Sequence, residues 1–431
     1  MKICCFVCLL LLSVTLCNRG LAQSPAKPNL TAVDLKPYTY HFVIKDGKLN
    51  GDGAEFLKRE IADNQYILLG EYHNSHRISR LTEALIPILH DNGFRFLGLE
   101  IGPVSGQILD ELAEDEAKFP DNLRRFNSRY YVSTPRRDFT PIPFFSNVED
   151  AEFLREAAKH DWKWMGLDQE FSYGYAVLLD RMFENLSRDD KATLANAHEK
   201  AIKEVEEAYR ISASGGKRHY LILNESEDYQ KFVRAATVRS TANKEIADAL
   251  QKTTEIYSYN ANRRYFQANS TRIDYIKRNL QEGFARFGFD LKKDRMLLKM
   301  GGVHTAKGFS DLSLFDVGNT LHELARFHGN RSLHINFLSR FYMDNGKERD
   351  PLDNKDSFGY RQRVFLQMAK KDQWTIIDLR PLRSDVFYAQ KYDLDPAIMS
   401  NFRLHDIVII PETEIETTEN FDRRDETAIK K

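Results

Sequence analysis

Cysteine is missing from this chain after position 17. Cys4, Cys5, Cys8 and Cys17 are the only four, and the other 414 of the 431 residues follow them without one. That excludes a disulfide scaffold from the body of the protein, and with it any thiolate nucleophile or thiolate metal site. A Gly-x-Ser-x-Gly turn is missing as well, which excludes the serine elbow of the α/β-hydrolases. An excess of one charge is also absent: 62 Lys and Arg stand against 63 Asp and Glu, a formal −1 that becomes −3 once Lys2 and Arg19 are removed. Neither value suits nucleic acid or an anionic membrane as a partner. There is no repeat of fixed period, and no proline lies between Tyr175 and Gly288.

The first 22 residues read as a cleavable secretory signal. Lys2 precedes ICCFVCLLLLSVTLC, an apolar stretch of about 15 residues, shorter than the roughly 20 of a spanning helix. Gly20-Leu21-Ala22 then supplies a site for cleavage after Ala22, and Leu16 before Cys17 is not the small residue that lipid attachment requires. The expected mature protein is secreted or periplasmic, has no transmembrane span, and with 42% hydrophobic residues can bury a large core.

Four short apolar runs each end abruptly in glycine, acid or histidine: YILLGEYH (66–73), FLGLEIG (96–102), WMGLDQE (164–170) and MLLKMGGVH (296–304). Continuous apolar runs of this length between helical patterns predict parallel strands covered on both faces, with the polar residues at the carboxyl ends where open α/β sheets place ligands. SLHINFL (332–338), WTIIDL (374–379) and DIVIIPE (406–412) predict further strands. The expected fold class is α/β, a mostly parallel sheet flanked by helices and carrying a helical insertion. Residues 23–174 and 291–412 would form its two parts, and the charged, periodic stretch 175–290 the insertion. The aromatic- and proline-rich segment 129–146 predicts an ordered loop over the sheet edge. Residues 413–431 have too few apolar side chains to fold alone and predict a flexible tail.

Three groups of residues could carry chemistry. Gly70-Glu71-Tyr72-His73 is followed by His76 and Arg77 at the start of an amphipathic helix, so a carboxylate, two imidazoles and a guanidinium fall within eight residues. Gly301-Gly302-Val303-His304 again puts a histidine three residues after a strand-end glycine. Glu100 and Asp168 each lie one residue past an apolar run, where a carboxylate must pair, bind a metal or hydrogen-bond. Each group also has a structural reading, in which Glu71 pairs with Arg77 and the two acids lock the sheet rim by salt bridges.

LLGEYHNSH, then GFRFLGLEIG, then GLDQE, then a strand ending in Gly-x-x-His, resembles the superfamily of erythromycin esterases, TraB and Tiki proteins and ChaN-type haem-binding lipoproteins. The resemblance covers roughly residues 60–412. GLDQE, VGNTLHELA and DIVIIPE resemble the esterase branch, while the single residue between Glu71 and His73 is nearer to the ChaN type. The resemblance implies a catalytic set of Glu71, His73, Glu100 and His304, with His76, Arg77, Asp168 and Gln169 toward substrate. His73 would activate water against an ester or amide carbonyl of a small or medium-sized molecule, Glu71 or Glu100 would orient it, and His304 or Arg77 would face the oxyanion. No cofactor is required on this reading. A divalent metal ion on His73, Glu100 and His304 is the Tiki-type variant. A ChaN-like protein that binds haem or iron through Tyr72, His73 or His76 without turnover is the alternative from another class.

Overall fold

The structure is a computed structural model, and it describes residues 26–423. The expected signal peptide lies outside the described residues.

Nine strands form one sheet: β1 (Thr39–Lys45), β2 (Lys48–Asn50), β3 (Tyr66–Glu71), β4 (Phe94–Leu99), β5 (Lys163–Gly166), β6 (Arg295–Gly301), β7 (Ser332–Phe337), β8 (Trp374–Asp378) and β9 (Ile407–Ile410). Their order across the sheet is β2-β1-β8-β9-β7-β3-β6-β4-β5. The six from β9 to β5 run parallel, and β8, β1 and β2 join antiparallel at one edge. All seven runs expected as strands are strands. β1 and β2 are additional; their half-exposed residues give a weak pattern at an edge.

Side chains alternate between two apolar layers, as the period of a strand demands. Ile67, Leu69, Leu97, Leu297 and Ile335 face one layer with the helices His76–Asp91 and Val148–Lys159, while Tyr66, Leu68, Met296, Leu298 and Met300 face the other with Tyr265–Phe287 and Val317–Phe327. β3 is buried along its whole length, which is why it reads as a continuous apolar run. Gly70 is required there by close approach: a Cβ would sit 2.7 Å from the carbonyl oxygen of Ile335 on β7.

Six helices lie in the proline-free stretch, from Tyr175–Glu184 to Tyr265–Phe287. The segment 129–146 contains a short hairpin pairing Val132–Ser133 with Asp138–Phe139. The flexible tail expected from position 413 is corrected by the structure as far as residue 423. Thr413 N–H donates to Lys371 O (2.9 Å), Glu414 N–H to Phe341 O (2.8 Å) and Asn420 N–H to Ser146 O (2.7 Å), while Thr418 O accepts from Val148 N–H (2.8 Å). Composition counts only the apolar residues a segment brings with it. This one is held by main-chain hydrogen bonds to the body, with Glu414 buried. Residues 424–431 of the expected tail lie outside the described residues.

Candidate active site

Register brings the chemistry together. Glu71 on β3 is level with Gly301 on β6, Leu99 on β4 is level with Lys299 on β6, and Leu99 is also level with Gly166 on β5. Glu100, Asp168 and His304 therefore leave the sheet at one end beside Glu71 and His73.

The centre is the Glu100 carboxylate, buried at the rim. Its Oε2 accepts from Gly301 N–H (2.6 Å) and lies 3.7 Å from His73 Nε2; its Oε1 accepts from Arg272 Nη2 (2.7 Å) and lies 3.5 Å from His304 Nε2. Each imidazole presents its other nitrogen to a different carboxylate, His73 Nδ1 to Glu71 Oε1 at 3.1 Å and His304 Nδ1 to Asp316 Oδ2 at 2.8 Å. Two carboxylate–imidazole pairs thus converge on one carboxylate. His304 is buried, while the side chain of His73 is 33% exposed under the ring of Phe144, which stacks on it with centroids 4.1 Å apart.

A second layer holds these groups. Lys299, buried in mid-strand, contacts Glu71 Oε2 and lies 3.7 Å from Asp150 Oδ1, which also accepts from Ser79 Oγ (2.7 Å). Arg272, from the last helix of the proline-free stretch, clamps Asp168 through Nε (2.8 Å) and Nη2 while reaching Glu100.

Burial pushes the Glu100 carboxyl up, but His304, Arg272, His73 and the Gly301 N–H together hold it down, at about 2. Burial likewise opposes charge on both imidazoles. The hydrogen bond donated to Glu71 and the charges of Glu100 and Glu71 outweigh it at His73, and Glu100 and Asp316 outweigh it at His304, so both histidines are raised above their ordinary value. Burial dominates at Asp150, which is pushed up to about 6.

Four residues expected toward substrate are engaged by other parts of the protein or lie beside them. Asp168 is buried and accepts from Arg272 Nε (2.8 Å), so its carboxylate positions a guanidinium. Arg77 is held by Glu412 (2.6 Å) and Thr413 O (3.0 Å), and His76 lies 3.6 Å from Glu149. Both line a different cavity of about 560 Å³, with Arg80, Glu83 and Glu152. They are the first two residues of the helix His76–Asp91, and their side chains lie against Glu149 and Glu412 instead of Glu100. Gln169, half-buried beside Asp168, lends its backbone N–H to Asp168 Oδ1 (2.8 Å). Sequence reasoning missed Arg272, Lys299, Asp316 and Asp150. Lys299 carried a signal, a lone cation inside MLLKMGG that could be buried only if paired; Arg272 carried none, sitting in a helix full of charges.

The donors do not fit a divalent metal ion on His73, Glu100 and His304. Glu100 is already engaged by a guanidinium and a backbone N–H, and a cation between the imidazoles would lie against Arg272. No group of three His, Cys, Asp or Glu side chains among the described residues is disposed to hold an ion. Two candidate ligands of the haem reading have partners in the protein: half-buried Tyr72 donates its hydroxyl to Glu414 (2.7 Å), and His76 lies 3.6 Å from Glu149.

The fold is a helix-flanked, mostly parallel α/β sheet that carries this rim at the carboxyl ends of its strands. No protein-family model and no curated protein matches the chain. Among solved structures, a histidine-to-asparagine mutant of erythromycin esterase EreC in its open conformation is 15% identical, with a TM-score of 0.52 over 88% of this chain and 98% of that one. A succinoglycan biosynthesis protein is 15% identical, with a TM-score of 0.53 over 90% and 97%. Haem-bound ChaN of Campylobacter jejuni is 13% identical over 70% and 91%, with a TM-score of 0.27. At 15% identity the likeness to the first two is one of fold alone.

Proposed function

We propose that the protein is an exported hydrolase in which His73 activates water against an ester or amide carbonyl of a small or medium-sized molecule. The observation that carries the reading is the pair of carboxylate-anchored imidazoles meeting at Glu100, of which His73 is one-third exposed to solvent. The likeness in fold to an erythromycin esterase supports it without naming a substrate.

Glu71, kept ionised by Lys299, accepts from His73 Nδ1–H, so the lone pair of neutral His73 is on Nε2. That nitrogen takes a proton as water forms its C–O bond to the carbonyl carbon, and Glu71 and Glu100 stabilise the resulting imidazolium. His304, whose Nδ1–H is donated to Asp316, also carries a proton on Nε2 in its imidazolium form, and that form offers Nε2–H to the developing oxyanion. The leaving oxygen or nitrogen recovers its proton from His73 as its bond to carbon breaks. Neither step uses a metal ion or haem. The test is a panel of chromogenic esters and amides with the parent protein and with His73→Gln, beside elemental analysis of the purified protein. Parent turnover that His73→Gln abolishes supports the reading; equal turnover by both refutes it. Addition of haem is expected to give no Soret shift.

A further inference from the structure

We propose that Glu414 is a positioning residue for His73, and that the strap carrying it, residues 413–421, pins the two loops between which this imidazole is held. The consequence for turnover rests on the hydrolase reading above; the consequence for the His73 ring does not.

His73 lies in a turn that leaves β3 and enters the helix His76–Asp91, and the next residue, Asn74, has a left-handed backbone with φ +61°. Such a turn holds one conformation only where its surroundings enforce it. Here one carboxylate does so from both sides of His73. Glu414 Oε2 accepts from the Tyr72 hydroxyl (2.7 Å) and from the Ser75 hydroxyl (2.5 Å), and Glu414 Oε1 accepts from Arg77 N–H (3.0 Å). Ser75 caps the helix, its Oγ accepting from Ile78 N–H (3.0 Å). Arg77 N–H is another of the donors that a helix start leaves without an internal partner, and a carboxylate there also complements the helix dipole.

The backbone that carries this carboxylate is fixed on both sides. Glu414 N–H donates to Phe341 O (2.8 Å) and Glu414 O accepts from Met343 N–H (3.0 Å). Further along, the strap pairs with the loop that roofs His73: Val148 N–H donates to Thr418 O, Asn420 N–H to Ser146 O, and Glu149 accepts from Thr418 N–H (3.1 Å). Phe144, two residues before Ser146, stacks on His73 with φ +68°, a conformation that a bulky residue holds only under constraint. The strap touches neither Glu71 nor Glu100. It acts on the site through the turn below His73 and the loop above it.

The experiment uses the full chain labelled with 13C at histidine Cε1. The His73 resonance is identified by its loss in His73→Gln and titrated in the parent and in Glu414→Gln, Glu414→Ala and Tyr72→Phe. p-Nitrophenyl acetate hydrolysis is followed in parallel. The expected result is a His73 titration that moves down toward 6.5 in both Glu414 variants and less in Tyr72→Phe, because a loosened turn spends less time on Glu71. Where the parent hydrolyses the ester, kcat is expected to fall about tenfold to a hundredfold with KM little changed, the scale of a small misplacement of a reacting group. If Glu414→Ala fails to fold, Glu414→Gln and Tyr72→Phe carry the test. An unchanged His73 titration in folded variants overturns the proposal. No hydrolysis by the parent together with a shifted titration removes the hydrolase reading and upholds the positioning.

Discussion

Replacing Lys299 by methionine tests the second layer of the site, because it removes one charge from a buried trio and nearly preserves its volume. Lys299, Glu71 and Asp150 have side chains only 4%, 4% and 3% exposed. At an effective dielectric of about 20, opposite unit charges 3.7 Å apart, the Lys299–Asp150 separation, attract by about 4 kcal/mol. Lys299 also loses its closer contact with Glu71. Removing one partner of a buried ion pair generally costs about 3–5 kcal/mol, a large share of a total of about 5–15.

The pH dependence makes the prediction specific. In the parent, Glu71 is held below its ordinary value, so its stabilising contribution is present above about 4.5 and is lost as pH falls. Without Lys299 the folded-state values of Glu71 and Asp150 both rise, and each then opposes folding as pH climbs through its folded value. Urea unfolding followed by circular dichroism should therefore show a larger loss for Lys299→Met at pH 8 than at pH 5. Adding Glu71→Gln to Lys299→Met should recover part of the loss at pH 8. An equal loss at the two pH values, or a variant as stable as the parent at pH 8, would refute the reasoning.

Other expectations follow from the same geometry. Because His73 is raised above 6.5 by Glu71 and Glu100, the acid limb of kcat/KM on any ester substrate should lie above that value, and Glu71→Gln should move it down; a limb below 6.5 in the parent assigns the base elsewhere. The stabilisation from His73 should be complete below 6.5 and fade as pH rises through its folded value. His73→Ala should lower turnover by about 10² to 10⁴ and His304→Ala by about 10² or more, and the double variant should lose less than the product of the two. Burial pushes Glu170 up to about 7 at the start of the helix Pro103–Leu112, where it accepts from Val104 N–H and the Ser105 hydroxyl. Its ionisation therefore opposes folding as pH rises through 7, and Glu170→Gln should compare more favourably with the parent at pH 8 than at pH 5 in thermal melts.

Much of the site was legible because strand ends announce themselves. Where an apolar run stops at Gly70-Glu71, Leu99-Glu100 or Gly301-Gly302, side chains covered on both faces give way to a rim, and an acid or imidazole placed there has to find a partner. The tail was not legible, because hydrogen bonds such as Asn420 N–H to Ser146 O depend on a partner far away in the chain and leave no mark on local composition. The same holds for Arg272, one cation among several on its helix, which only the packing of that helix aims at Asp168 and Glu100.

The sequence by itself determined which segments become buried strands, that the sheet is mostly parallel and flanked by helices, and that Glu71, His73, Glu100 and His304 lie at strand ends. Periodicity and burial are local properties, and solvent exclusion acts on them residue by residue. Only the tertiary structure decided that β3, β6 and β4 are neighbours, so that two histidines 231 positions apart share one carboxylate. It alone turned His76 and Arg77 away from that rim and brought Lys299, Arg272 and Glu414 to bear on it. Strand order and helix orientation come from how whole faces pack together, and no window of sequence contains both partners of those contacts.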